Sequence, residues 1–217
     1  MSEGVTVAQR TKGQQTAAEL KEAARSLLAS RSYAEIKVTD ITTAAGKAAG
    51  VFYRYFTDKD ALLRALAADF DEALHAVVVE HMGEDHALTT VDDVRAHVEA
   101  FWTAYERYLP ELRGVLQASM LNSEFERFHR GLRDRQVDVW TDHILATRAW
   151  AGAPAERARM SALAVVCLLE YFCYCRFTEG GGDAGMAVET LTSLIATGLL
   201  GRADPVTARR DDGARTR

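Results

Sequence analysis

Apolar residues recur along this chain at intervals of three and four for nearly its whole length, and no segment sustains a period-two alternation. Stripes of that kind can be hidden only by packing helix against helix, so the fold class is all-α, with about nine helices. The first stripe is Ala17, Leu20, Ala24, Leu27 and Leu28, ending at Ser30-Arg31-Ser32. The polar residues before it, 1–13, lack any period and are expected to form a flexible arm bearing Arg10 and Lys12.

Punctuation divides the rest. Thr39 is the expected N-cap of a short helix, 40–45, with Ile41 and Ala44 facing inward. Gly46 suits the left-handed residue that follows such a helix. A second short helix is expected over 48–55. Thr57 and Asp60 have capping-box spacing before a long helix that runs to about Met82, roughly 37 Å at ~1.5 Å per residue. Residues 83–88 read as a loop. Thr90 with Asp93 opens the next helix, Pro110 starts another to Leu121, and Ser123 with Glu126 opens one reaching Trp150. Gly152 and Pro154 separate that from a helix ending at Thr178. After the break at 179–182 a last helix covers 184–200. The domain boundaries that follow are an arm (1–13), a small helical head (14–60), a larger helical body (61–201) and a charged, disordered tail (202–217).

Composition narrows the setting. The longest apolar run, Ala162–Leu169, is too short to cross a bilayer. The N-terminus lacks a basic segment followed by an apolar one, so no secretory signal is expected. Cys167, Cys173 and Cys175 make no disulfide framework, and a reducing, cytoplasmic location is expected. The formal charge is −5, yet residues 1–60 hold 9 Lys and Arg against 7 Asp and Glu, while the remainder holds 17 against 24. A mildly basic head on an acidic body fits a small electrostatic footprint for a polyanion, and it also fits chance.

Two short helices joined at Gly46, followed by Phe52, Tyr53, Tyr55 and Phe56, are too small to be stable alone. Leu20, Ala24 and Leu27 on one side and Leu62 and Leu63 on the other would complete a helix-turn-helix unit, or an ordinary helical hairpin. The run Thr39-Asp40-Ile41-Thr42-Thr43-Ala44-Ala45-Gly46, with Gly50, Tyr53, Tyr55-Phe56 and Lys59-Asp60-Ala61-Leu62, resembles the DNA-binding region of TetR-family transcriptional regulators over about residues 14–65. The resemblance implies a homodimeric transcription factor on double-stranded DNA, commonly a repressor released from a palindromic operator by a small molecule. It implies phosphate contacts from Thr39, Tyr53 and Lys59, close backbone approach at Gly50, and Lys47, Ala49 and Arg54 near base edges or flanking phosphates. Arg10 and Lys12 would extend this as an arm. The chain departs from the family pattern at Lys47, Ala48, Val51 and Thr42. The second short helix therefore lacks its usual capping hydroxyl, at a cost of ~1 kcal/mol, and its outer face is poor in hydrogen-bond donors.

In the body, the helix from Pro154 to Thr178 is apolar on nearly all sides and must be covered twice. It is either buried within one subunit or paired, together with the last helix, in a homodimeric four-helix interface. His97, Phe101, Trp102, Tyr105, Met120, Phe125, Phe128, Trp140 and Glu170 are candidates for an effector pocket, and each is equally compatible with plain core. Asn122 and His129 would add polar contacts. Ile144 and Leu121 belong to the same cluster. Glu170 would be a buried carboxylate paired with a residue such as Arg176, a ligand contact or an interface hydrogen-bonder. The expected effector is apolar or aromatic.

Other chemistries lack their residues. The cysteines have no zinc spacing, and His81 with His86 reads as a solvated loop. No Ser/His/Asp arrangement, P-loop or dinucleotide-binding glycine pattern occurs, so no catalytic residues, cofactor or metal are expected. A regulator without a small-molecule inducer and a helical enzyme are the alternatives.

Overall fold

The computed structural model describes the backbone of residues 3–83, 88–180 and 183–201, and the side chains among these except 3–12, 81 and 82. Arg10, Lys12, His81, His86 and the tail from 202 fall outside the described side chains. Among the described residues the chain forms nine α-helices and no strand: α1 (Glu3–Ser30), α2 (Val38–Ala44), α3 (Ala49–Phe52), α4 (Lys59–Met82), α5 (Val91–Arg107), α6 (Leu109–Leu121), α7 (Ser123–Ala146), α8 (Ala155–Thr178) and α9 (Ala184–Leu200). The first helix begins at Glu3, so residues 3–13, which the sequence assigns to an arm, have helical backbone.

Several helix starts differ from the sequence expectation. At α4 and α7 an Asp or Asn beside the expected Ser or Thr takes the cap. Asp58 accepts from the Ala61 N–H at 2.7 Å, so Thr57 is not the cap of α4. Asn122 accepts from the Glu124 N–H at 2.8 Å, so Ser123 is the first residue of α7. Lys37 occupies the N-cap of α2, and its N–H donates to the Asp40 carboxylate at 2.9 Å; Thr39 lies one position inside the helix. Only Thr90 forms the expected box, its hydroxyl accepting from Asp93 N–H while the Asp93 carboxylate accepts from Thr90 N–H. Four hydrogen bonds from Thr89 and Thr90 overcome the opposing effect of burial and hold the Asp93 carboxyl below its ordinary pKa. In α2, Ile41 and Thr42 are buried and Ala44 is exposed, contrary to the inward face expected for Ala44.

The second short helix is half the expected length. After Phe52 the backbone tightens into i→i+3 bonds, Arg54 to Val51 and Tyr55 to Phe52, because Phe52 and Phe56 must both enter the head core. Helix α7 stops at Ala146, short of Trp150, and a 3-10 turn covers Arg148–Trp150. The Trp150 indole N–H donates to the Leu199 carbonyl at 2.9 Å, fastening that turn to α9.

Two apolar clusters organise the molecule. The head cluster joins Leu20, Ala24 and Leu28 of α1 to Ile41, Phe52, Phe56, Leu62, Leu63 and Leu66. It also takes in Val115 and Ala118 of α6 and Phe125 of α7, so the head is seated on the body through shared core. Gly114 makes this seating possible: a Cβ there would lie 3.0 Å from Leu28 and 3.2 Å from Leu63 side chains. At the same seam Arg25 donates to the fully buried Glu111 carboxylate, and Gln117 accepts from the Tyr33 N–H at 2.7 Å. The body cluster centres on α5, with Val94, Val98, Phe101 and Trp102 meeting Leu191 and Ile195 of α9, Val166 and Leu169 of α8, and Trp140 and Ile144 of α7.

Helix α8 alone among the described helices is long and apolar enough to cross a membrane. It lies against α7 and α5, and Glu170 pairs with Arg133 and Arg159 with Asp134 and Asp138, which fits a bundle helix.

Candidate nucleic-acid interface and ligand cavity

Gly46, with φ of +63°, turns the chain from α2 into α3 in a conformation that costs a glycine nothing. The turn leaves Ala48, Ala49 and Gly50 exposed on one side while Phe52 plugs the core on the other. Tyr53, next to Phe52, has 60% of its surface in solvent. A phenol left in solvent between the buried Phe52 and Phe56 is available for an external contact. Arg54 follows, its guanidinium 5.9 Å from the Tyr55 ring centre. Thr39 and Thr43 stand exposed on α2.

The two lysines of the expected interface are already engaged. Lys47 meets the Glu19 carboxylate on α1 at 2.6 Å, and that contact holds the Glu19 carboxyl below its ordinary pKa. Lys59 donates to the carbonyls of Tyr33 and Ile36 at 3.0 and 3.1 Å and sits 4.3 Å from the Tyr33 ring centre. Lys59 therefore clamps the link between α1 and α2 onto the start of α4. The Tyr33 hydroxyl donates to Asp60 beside it, and burial first, then that carboxylate, pushes the phenol above its ordinary pKa. Sequence spacing finds Lys59 but not this tie, because the carbonyl acceptors belong to an irregular segment, 33–36.

A cavity of about 260 Å³ opens among α4, α5, α6, α7 and α8. Of the residues expected to line a pocket, it contains Phe101, Tyr105 and Glu170, with His129 as a polar wall. His97 and Trp140 line a neighbouring cavity of about 200 Å³ instead, with Phe101 shared between the two. The other four lie elsewhere. Trp102 packs at a tilt against Phe177 with ring centres 4.6 Å apart, Met120 is 75% exposed, and Phe125 and Phe128 pack at the head seam 5.3 Å apart. Asn122 is used as the α7 cap. Helical period marks all of these as apolar or buried but does not say which neighbour they face.

The larger cavity also presents residues the sequence does not single out: Phe70, Leu112, Leu116, Arg133, Tyr171 and Tyr174. Arg133, at 3.1 Å, is the partner of Glu170, in place of the expected Arg176. Burial raises the Glu170 pKa, and Arg133 only partly offsets it. Burial, then Arg133, lowers the His129 pKa. Tyr105 is raised by burial and by nearby groups, Cys173 first among them. Cys173 is itself pushed up to about 12 by burial, which makes it an unreactive thiol. The walls thus combine aromatic and aliphatic side chains with a few polar groups, the Glu170–Arg133 pair, Asp71, Gln136 and His129.

Residues 20–66 match the family described as bacterial regulatory proteins, tetR family. The HTH-type transcriptional regulator EthR of Mycolicibacterium smegmatis is 28% identical over 153 residues, 67% of this chain and 66% of that protein, just under two thirds of its length. A TetR-like transcriptional regulator from Rhodococcus sp. RHA1 superposes with a TM-score of 0.65 at 21% identity, covering 86% of this chain and 97% of that one. The fatty acid degradation regulator FadR from Bacillus halodurans gives 0.68 at 19%, covering 86% and 97%. At these identities the superpositions speak for the fold.

Proposed function

We propose that this chain, a member of the TetR family of transcriptional regulators, is a cytoplasmic homodimeric repressor that binds a palindromic operator and leaves it when a small apolar or aromatic effector fills the α4–α8 cavity. The observation that carries this reading is the outward face of the head. Ala48, Ala49, Gly50 and Tyr53 stand exposed beside the left-handed Gly46 turn, within the segment that matches the family. In a helix-turn-helix unit that face enters the major groove. Tyr53 donates to a phosphate, Thr39 and Arg54 flank it, and Lys59 holds the unit in shape.

Pairing is supported by the surfaces of the last two helices. Met160 and Leu163 on α8 and Met186 and Leu194 on α9 are exposed large apolar side chains, which a partner subunit would cover. A two-fold pair of heads addresses half-sites about 34 Å apart.

The test is duplex selection with purified protein, followed by binding across a salt series. A palindromic site whose affinity falls steeply with salt is the expected result. Binding with no sequence preference would overturn it. Effector release is tested by whether candidate aromatic compounds that raise the melting temperature also dissociate the operator.

A further inference from the structure

The face that α3 offers to DNA carries almost no hydrogen-bonding side chain. Ala48 and Ala49 present methyl groups in the open, Val51 is partly exposed, and Gly50 has nothing within 4 Å of where a Cβ would stand. The nearest cation, Lys47, is turned back onto α1 and held by Glu19 at 2.6 Å. Freeing Lys47 for a base would leave the Glu19 carboxylate uncompensated beside a polyanion. Arg54 lies beyond the end of α3, over the Tyr55 ring. In the major groove the feature complementary to a methyl face is the thymine 5-methyl group; guanine N7 and O6 and adenine N6 ask for polar side chains.

Resting on the regulator reading above, we infer that this head selects its operator by thymine 5-methyl groups met by Ala48, Ala49 and Val51, and not by hydrogen bonds from α3 to purine edges. Gly50 admits the backbone to the groove floor, so the methyl contacts are close and shape-sensitive. The hydroxyls of α2 and Tyr53 fix register on the phosphates and carry no base information.

The experiment uses the full chain and the site recovered by duplex selection. Each thymine is replaced singly by deoxyuridine, which removes only the 5-methyl group. The expected loss is roughly fourfold at one or more thymines of each half-site, and roughly fifteenfold when the symmetric pair is replaced together. Replacing guanines by 7-deazaguanine leaves affinity within about twofold, and Lys47→Ala keeps the same base preferences. In Ala49→Gly or Val51→Ala, whichever faces that thymine, the uridine penalty disappears while the variant still binds the selected site. Two results overturn the inference: uridine tolerated at every position, or a 7-deazaguanine penalty that vanishes in Lys47→Ala. Failure to recover any preferred site overturns the regulator reading instead, and the inference with it.

Discussion

The head and the cavity of this protein are built on opposite plans. In the head, the exposed residues proposed for DNA contact follow one another within a few positions, from Ala48 to Arg54. Around the cavity the lining residues point inward and come from five helices, from Phe70 on α4 to Tyr174 on α8. The head needs a rigid support behind a short exposed strip, and Lys59, Tyr33 and Asp60 supply it by tying the α1–α2 link to α4. The cavity needs the reverse, walls that leave a space unfilled. A surface can therefore be encoded locally, while a void is a property of how distant elements meet. The two are joined through α6, whose Leu112 and Leu116 line the cavity while Glu111, Gly114 and Gln117 touch the head.

The contrast is broken most severely at the seam. Phe125 belongs to α7 of the body but is fully buried in the head cluster. Phe125→Ala is expected to cost about 3–5 kcal/mol and to weaken operator binding as well, measured by urea unfolding and gel shift on one preparation. If the head were independent of the body, binding would survive this change. Next comes Glu111→Ala, which leaves Arg25 with Glu22 on the exposed side and the Tyr108 ring. Removing one partner of a buried pair should cost about 3 kcal/mol here, less than for a fully buried pair because Arg25 is partly solvated.

Tyr53→Ala sharpens the contrast from the other side. Its ring is mostly in solvent, so melting should move by no more than a degree or two, while operator affinity falls about tenfold, roughly 1.4 kcal/mol. An unchanged affinity would remove Tyr53 from the interface. The smallest effect belongs to the cavity. Burial lowers the His129 pKa from its ordinary 6.5, so the folded chain keeps this ring neutral where the unfolded chain starts to take up a proton. Stability from this group is complete above about pH 6.5 and is lost as the pH falls below that value. His129→Gln should flatten this acid-side slope of the melting temperature and leave operator binding at pH 7.5 about unchanged.

The sequence made some of this plain and hid the rest for physical reasons. The helix-turn-helix unit was legible because Gly46, Phe52 and Phe56 act over short distances. The Thr90 and Asp93 box was legible because both its bonds close within one turn. Cap positions at Asp58 and Asn122 were missed by a single residue, since two adjacent oxygen-bearing side chains can each cap and spacing alone does not choose between them. Trp102 and Phe101 look equivalent along the chain. Trp102 packs against Phe177 and Phe101 faces a cavity, and only the crossing of α5 over α8 distinguishes them.

What the amino-acid order determined on its own is the number of helices, most of their limits and the strip of side chains that turns outward at α3, because hydrogen bonds, caps and turns act within a few residues. What only the folded molecule decided is which buried groups meet: Arg133 with Glu170, Arg25 with Glu111, Lys59 with the carbonyls of Tyr33 and Ile36. Those partners lie far apart along the chain or in irregular backbone, and contact between them depends on how helices cross, which no local periodicity records.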